Sequence, residues 1–137
     1  MFIDTSAFVE ILARLPEAGL FESILEEHAE LYTSALVRLE TVMALSRFDR
    51  GTPHKNQQAF DAVVEAAGIQ FVDLDDAVGR IAVDAFARFG KGQRHRAQLN
   101  LSDCMSYAAA RHYQLPLLCK GADFALTDVD VVPLPQR

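Results

Sequence analysis

The sequence predicts an α/β fold in which helices cover both faces of a mostly parallel sheet. Short apolar runs of strand length alternate with longer segments whose apolar residues recur at helical spacing. The apolar runs are continuous, which is typical of strands that are buried on both faces. Ligands bind such sheets at the carboxyl ends of the strands, so the residues that follow each strand are the first candidates for a site.

Five apolar segments are predicted strands, and the segments between them are predicted helices. The strands are expected at 1–3, 31–33, 69–74, 115–119 and 129–134. The helices are expected at 7–14, 18–28, 36–48, 55–67, 76–89 and 101–113, with a short helical turn at 122–126. Ser34, Asp75 and Ser102 or its neighbour are expected N-caps, and Gly68 is an expected helix terminator. Pro133 should end the last strand or place it at a sheet edge.

Composition predicts one compact domain over residues 1–137. Half of the residues are hydrophobic and 23% are charged, which suffices for a core and is unlike a disordered chain. The N-terminus carries Asp4 and Glu10 within its apolar stretch, so it is not a signal peptide. No window approaches the roughly 18 apolar residues of a membrane span. Cys104 and Cys119 are too few for a disulfide scaffold, and a cytoplasmic location is therefore expected.

The charge is unevenly distributed along the chain. The net charge of −6 argues mildly against a nucleic-acid partner. Between Asp84 and Asp103, however, no acidic residue occurs, and this stretch holds the basic residues Arg88, Lys91, Arg94 and Arg96. The basic strip, residues 88–96, could hold a phosphate backbone, or it could be a solvated loop. Lys120 could contact either a phosphate or a carboxylate.

Three aspartates occupy positions where a parallel sheet gathers functional groups. Asp4 follows the first predicted strand, Asp123 follows the fourth, and Asp103 opens the helix before the fourth. Each has an alternative interpretation, because an aspartate in the first turn of a helix caps it and interacts favourably with the helix dipole.

Glu40 is a fourth candidate. The helix 36–48 is predicted to carry its apolar side along Leu36, Leu39, Met43 and Phe48, and Glu40 lies on or beside that side. Burying an unpaired carboxylate costs several kcal/mol, so a carboxylate there needs a partner. A basic residue, a water-lined cleft or a metal ion could each be the partner of this carboxylate.

Taken together, the four carboxylates favour a divalent cation. Clustered carboxylates repel one another by roughly 4 kcal/mol per pair, and a cation offsets that repulsion. All-oxygen ligation suits Mg²⁺ or Mn²⁺ better than Zn²⁺. Such an ion can activate a water for attack on a phosphodiester and stabilise the leaving oxygen. Thr5 and Ser6 could orient a carboxylate or a water at the ion, or they could serve only as helix caps.

Four segments together give the chain a family resemblance. They are FIDTSAFVEIL at 2–12, SALVRLETVMAL at 34–45, FGKGQRHRAQLNLSDCMSYAAA at 89–110 and LPLLCKGADFALTDV at 115–129. In this order and spacing they resemble PIN-domain proteins of the VapC toxin type. The resemblance implies a three-layer α/β/α fold with a five-stranded, mainly parallel sheet. It also implies an endoribonuclease activity that depends on Mg²⁺ or Mn²⁺.

The resemblance also implies roles for particular residues and partners. Asp4, Glu40, Asp103 and Asp123 match the acidic metal-site positions, and Asp128 matches a further acidic position near the pocket. Many relatives have glycine in place of Ser102 and Asp or Asn in place of Ala122. Members of this family are typically homodimers inhibited by a cognate VapB-type antitoxin, with which they can form larger complexes. Lys91, Arg94, Arg96 and Lys120 are the expected contacts to an RNA substrate, and no membrane partner is expected.

Three other functions compete with the nuclease hypothesis. A receiver-like phosphoacceptor domain would need an acidic pair after the first strand, where this chain has one aspartate followed by Thr-Ser. A haloacid-dehalogenase-type phosphatase would need a D-x-D motif there. A catalytically degenerate PIN-fold binding module is the third alternative, and the presence of all four carboxylates argues against it.

Overall fold

The computed structural model describes residues 1–48 and 51–135, which alternate short strands with helices as predicted. The strands are β1 (Phe2–Ile3), β2 (Tyr32–Thr33), β3 (Gln70–Phe71) and β4 (Leu117–Leu118), hydrogen-bonded in the order β3-β2-β1-β4. Strands β2 and β3 are parallel, with Tyr32 opposite Gln70. The helices are α1 (Thr5–Leu12), α2 (Ala18–Glu27), α3 (Ala35–Arg47), α4 (Pro53–Ala67), α5 (Asp76–Phe89) and α6 (Leu101–His112), followed by a 3₁₀ turn at Phe124–Leu126.

The expected α/β class is confirmed, but the expected five-stranded sheet is wrong: the described residues form four strands. The segment 129–134 contributes only a parallel bridge between Val131 and Leu117. The Leu117 N–H donates to the Asp130 carbonyl, and the Val132 N–H donates to the Leu117 carbonyl. Residues 129–134 therefore contribute a single bridge rather than a strand, and Pro133 lies directly after it, as is typical of a sheet edge.

Local sequence signals place most helix ends correctly. Ser34 and Asp75 accept hydrogen bonds from the third residue of their helices, and Gly68 ends α4 with a φ of 69°. At that positive φ a side chain would be strained, which explains the glycine. The expected cap of α6 is wrong, because Asn100 rather than Ser102 or its neighbour is the N-cap.

The chain divides into two compact units. The N-terminal unit is Ile3–Asp73, and the C-terminal unit is Leu74–Arg137 with Met1–Phe2. In the N-terminal unit, α1 packs against α2 and α3, and the Phe8 ring lies 4.4 Å from the Phe60 ring. In the C-terminal unit α5 packs against α6. None of the helices in the described ranges is both long and apolar enough to cross a membrane.

Helix α3 buries a different side from the one predicted. Leu39 and Met43 are 56% and 52% exposed, and Phe48 is exposed too. The buried side of α3 is formed by Val37, Thr41, Val42 and Leu45. The large apolar residues suggested the wrong side, because the true buried stripe includes a threonine and small β-branched residues. Glu40 is half-buried and lies next to Thr41, which belongs to this buried side.

Candidate active site

Asp4 is the most enclosed of the candidate carboxylates. It directly follows β1, is the N-cap of α1, and is only 4% exposed. Its Oδ2 atom accepts hydrogen bonds from the Ser6 N–H at 3.1 Å and from the Ser6 hydroxyl at 2.7 Å. The capping interpretation of Asp4 is therefore confirmed, and Ser6 fixes the orientation of the carboxylate.

Thr5, the first residue of α1, has a buried hydroxyl that needs a partner. Within the described parts of the chain its Oγ1 atom makes no hydrogen bond, and neither does that of the buried Thr41 on α3. Leaving such a hydroxyl unsatisfied costs about 1–3 kcal/mol, so buried hydroxyls usually contact a water or a ligand. This unsatisfied oxygen beside Asp4 in the sequence fits a hydrated cation at the start of α1.

Glu40 lies on a helix that is fixed within the N-terminal unit by a neighbouring arginine. Arg38 donates from Nε to Asp61 of α4 at 3.2 Å, and its guanidinium lies 4.4 Å from the Phe71 ring centroid. These contacts join α3 to α4 and β3. They restrict movement of the segment that carries Glu40.

Asp103 belongs to a reciprocal cap at the start of α6. The Asn100 side chain accepts from the Asp103 N–H at 2.8 Å, and Asp103 Oδ2 accepts from the Asn100 N–H at 3.0 Å. The capping interpretation is therefore confirmed here too. A carboxylate has about four acceptor positions, so participation in a cap is chemically compatible with binding a cation.

Asp123 differs from the other two aspartates because it caps nothing. It is exposed at the start of the 3₁₀ turn, and its side chain makes no capping hydrogen bond. Only its backbone carbonyl holds the turn, accepting from the Leu126 N–H at 3.1 Å. The capping interpretation is therefore wrong for Asp123. Lys120, a few residues earlier, is also exposed.

Asp128 has two strong partners within the C-terminal unit. The Tyr107 hydroxyl donates to Oδ1 at 2.5 Å, and Arg88 donates to Oδ2 at 3.0 Å. Burial alone would raise the pKa of Asp128, but the hydrogen bonds from Tyr107 and Arg88 hold it below the ordinary value. Burial, together with the hydrogen bond to Asp128, raises the pKa of Tyr107 to about 12. Asp128 is therefore an ionised acceptor at neutral pH.

The basic strip forms a closed loop in the C-terminal unit. A parallel bridge joins Gly90 to Leu99, and the Lys91 N–H donates to the Leu99 carbonyl. A Cβ on Gly90 would lie 2.3 Å from the Phe86 ring, so only glycine fits at the base of the loop. Lys91, Arg94 and Arg96 are exposed on this loop. Arg88 is engaged by Asp84 and Asp128, so it differs from the other cations of the strip.

The four carboxylates predicted to hold a metal ion lie within the described ranges 1–48 and 51–135 and come from both units. No group of three or more His, Cys, Asp or Glu side chains in these ranges is placed to hold a metal ion. Asp4 and Glu40 belong to the N-terminal unit, and Asp103 and Asp123 belong to the C-terminal unit. The four-carboxylate site remains a prediction.

Comparison with known proteins decides the family. The model of the PIN domain matches residues 1–130. The chain belongs to the PIN-domain family. A ribonuclease VapC of Mycolicibacterium smegmatis is 41% identical, and the alignment covers 96% of this chain and 99% of the relative. The VapC resemblance noted in the sequence is thus confirmed across nearly the whole chain.

Two solved structures have the same fold as this PIN-domain chain. VapC20 of Mycobacterium tuberculosis, described as a toxin that cleaves the sarcin–ricin loop, superimposes with a TM-score of 0.77 at 19% identity, covering 98% of both chains. A chain of a toxin–antitoxin complex from Klebsiella pneumoniae superimposes with a TM-score of 0.68 at 14% identity, covering 96% of this chain and 95% of that one. PIN-domain nucleases of the VapC type are generally metal-dependent.

Sequence reasoning did not identify Tyr107 as part of this region. The Tyr107 ring is almost fully buried, and a buried tyrosine hydroxyl nearly always has a hydrogen-bond partner. A tyrosine within the alanine-rich stretch of α6, four residues after Asp103, was the available signal. Its partner could not be inferred, because Asp128 lies 21 residues away in the sequence.

Proposed function

We propose that this PIN-domain chain is a metal-dependent endoribonuclease and the toxin of a VapBC-type toxin–antitoxin pair. The observation that carries the proposal is the full-length match to VapC ribonucleases, combined with an aspartate after β1 that is buried and oriented by Ser6. Because Asp4 also caps α1, a degenerate binding module could retain it, and RNA cleavage is what separates the two functions.

Asp4, Glu40, Asp103 and Asp123 are the residues we propose to hold the cation. Their all-oxygen chemistry suits Mg²⁺ or Mn²⁺, and the unsatisfied Thr5 hydroxyl supports a hydrated ion at Asp4. Mg²⁺ commonly keeps several waters and uses only one or two carboxylates together with substrate phosphates. A site without a preformed group of three carboxylates is therefore compatible with this ion. When bound, the cation would lower the pKa of an attacking water and stabilise charge on the leaving 3′ oxygen.

The protein's own residues would position both carboxylates and substrate. Ser6 keeps the Asp4 carboxylate in one orientation, and Asn100 does the same for Asp103. Lys91, Arg94 and Arg96 extend from the closed loop 90–99 as contacts to RNA phosphates, and Lys120 precedes Asp123. Each phosphate contact contributes about 0.7 to the slope of log affinity against log salt for a single strand, so a variant with alanine at these loop positions should show a shallower slope.

The nuclease proposal is tested by comparing two aspartates that both cap helices. Asp4 caps α1 and Asp75 caps α5. Asparagine is an equally good cap, so Asp4→Asn and Asp75→Asn should both remain folded. With Mg²⁺ or Mn²⁺ present, Asp75→Asn should cleave RNA at the wild-type rate. Asp4→Asn should lose at least about a hundredfold, because a neutral amide cannot replace an anionic ligand.

Equal RNA cleavage by wild type and Asp4→Asn would overturn this mechanism. Equal RNA cleavage by wild type with and without a chelator would show that the reaction does not need a metal ion. Loss of activity in both variants would point to a general structural effect of the substitutions rather than to the chemistry of Asp4.

An antitoxin and a second copy of the chain are the proposed protein partners, acting with this toxin in the cytoplasm. The K. pneumoniae structure is a toxin–antitoxin complex, which supports an antitoxin partner here. The exposed Leu39 and Met43 on α3 support a homodimer, because an exposed apolar stripe is typical of an interaction surface. The mass in solution of the chain, alone and with its antitoxin, tests both.

A further inference from the structure

One carboxylate joins three segments of the C-terminal unit. Tyr107 of α6 and Arg88 of α5 donate to the two oxygens of Asp128, at 2.5 Å and 3.0 Å. Arg88 is itself held by Asp84 at 3.4 Å, and its guanidinium lies 4.6 Å from the Phe89 ring centroid. Arg88 therefore has contacts on α5 in addition to its contact with Asp128.

Tyr107 shares a helix face with Asp103. The two residues are four apart on α6, and residues at this spacing lie one above the other on a helix. The Tyr107 ring is 1% exposed, so packing fixes the position of its hydroxyl. Tyr107, which donates to Asp128, is thus one helical turn away from Asp103, a proposed metal ligand.

Asp128 follows the turn that carries Asp123. Within that turn the Thr127 N–H donates to the Phe124 carbonyl at 3.0 Å, and the Thr127 hydroxyl donates to the same carbonyl at 2.6 Å. The Val129 N–H donates to the Thr127 hydroxyl at 3.2 Å. These bonds make residues 123–129 one internally bonded segment, so fixing Asp128 restricts Asp123 as well.

We propose that Tyr107, Arg88 and Asp128 form a clamp that holds the Asp123 turn at a set distance from the helix that carries Asp103. This inference rests on the proposed nuclease function, and it assigns Tyr107 and Arg88 as positioning residues. The resemblance alone implied that Asp128 contributes acidity near the pocket. Both of its oxygens accept a hydrogen bond, from Tyr107 and from Arg88, and the role we assign to Asp128 is to anchor the turn.

The test uses the full-length chain, three variants and two measurements on each. Tyr107→Phe removes the hydroxyl and keeps the buried ring. Arg88→Gln breaks the second contact, and Arg80→Gln is its matched control, because Arg80 forms the same i,i+4 pair on α5, with Asp76, and does not touch Asp128. Hydrogen exchange of the Leu126 and Thr127 amides reports on the turn, and titration with Mn²⁺ alone reports on the site.

In Tyr107→Phe and in Arg88→Gln, the hydrogens of the Leu126 and Thr127 amides should exchange with solvent about fivefold faster than in wild type, because one hydrogen bond that holds the turn has been lost. Both should bind Mn²⁺ about tenfold more weakly, as is typical when a residue that orients a ligand is removed. RNA cleavage at saturating Mn²⁺ should recover most of the wild-type rate, because the ligands themselves are intact. Arg80→Gln should match wild type in every measurement.

The outcomes separate this inference from the function on which it rests. Wild-type protein that neither binds Mn²⁺ nor cleaves RNA overturns the nuclease proposal and, with it, the clamp's role in catalysis. If wild type does both and Tyr107→Phe equals it in amide exchange and Mn²⁺ affinity, the clamp alone is overturned. A lower melting temperature with unchanged Mn²⁺ affinity would reduce Tyr107 to a purely structural residue and also contradict the clamp.

Discussion

The first turns of α1 and α6 each carry an aspartate proposed as a metal ligand, but the two are held differently. Asp4 is itself the N-cap of α1 and is almost fully buried. Asp103 lies three residues inside the cap of α6 and is half-buried, because Asn100 is the N-cap there. The helix dipole favours an anion at both positions.

At α1 the structural and the proposed chemical role fall on one residue, whereas at α6 they fall largely on two. At α1, one carboxylate both caps the helix and serves as the proposed ligand. At α6, Asn100 provides most of the cap, and Asp103 returns one hydrogen bond to it. Helix α6 should therefore lose little stability when its proposed metal ligand is removed, whereas α1 should lose more, because the same residue is also its cap.

The largest expected effect is the difference between Asp4→Ala and Asp103→Ala. Asp4→Ala should lower the free energy of unfolding by about 1–2 kcal/mol, since it removes the N-cap. Asp103→Ala should lower it by about 0.5 kcal/mol, because Asn100 remains. Both should abolish RNA cleavage. Urea unfolding measures the free energy of unfolding. Equal destabilisation by the two variants would contradict the claim that the two aspartates contribute differently to helix stability.

Asn100→Ala is the control for that pair. It removes the cap of α6 and keeps Asp103, so its free energy of unfolding should fall by about 1 kcal/mol. RNA cleavage well below its melting temperature should persist. A complete loss of cleavage would mean that capping and chemistry are not separable at α6.

A smaller effect should separate two serines near these aspartates. The Ser6 hydroxyl donates to the Asp4 carboxylate at 2.7 Å, whereas the Ser102 hydroxyl donates to the neutral Asn100 side chain at 3.0 Å. A hydrogen bond to a charged group is stronger than one to a neutral group, so Ser6→Ala should lower the free energy of unfolding by about 1 kcal/mol, which is less than the effect of Asp4→Ala. Ser6→Ala should therefore destabilise the protein more than Ser102→Ala and weaken Mn²⁺ binding more. A stronger effect of Ser102→Ala than of Ser6→Ala on Mn²⁺ binding would contradict the proposal that Ser6 orients a metal ligand.

The sequence predicted best those features that depend on near neighbours. Ser34, Asp75 and Gly68 lie where expected, because a cap or a left-handed residue acts within one helical turn. The order of strands and helices follows from the same local periodicity. The position of Asp4 after β1 also followed from local sequence, since strand and cap are adjacent.

The features that depend on distant partners were not predictable. The buried side of α3 is chosen by the helices packed against it, so the apolar Leu39 and Met43 misled the prediction. The segment 129–134 pairs with β4 only through the bridge between Val131 and Leu117, and the extent of such pairing is not encoded by local apolar pattern. The bond between Tyr107 and Asp128 spans 21 residues, and no local pattern encodes it.

The last expected effect concerns alkaline pH and distinguishes α6 from α1. Tyr107 has a pKa of about 12 in the folded protein, compared with its ordinary value of 10.0. A raised folded pKa contributes stability that is fully present below about pH 10 and is lost as the pH rises toward 12. Wild type should therefore lose stability over this range more steeply than Tyr107→Phe. The absorbance of tyrosinate should show a late-titrating component that Tyr107→Phe lacks. If that component persists in the variant, the late ionisation belongs to another tyrosine, and the buried hydroxyl of α6 does not depend on Asp128 as proposed.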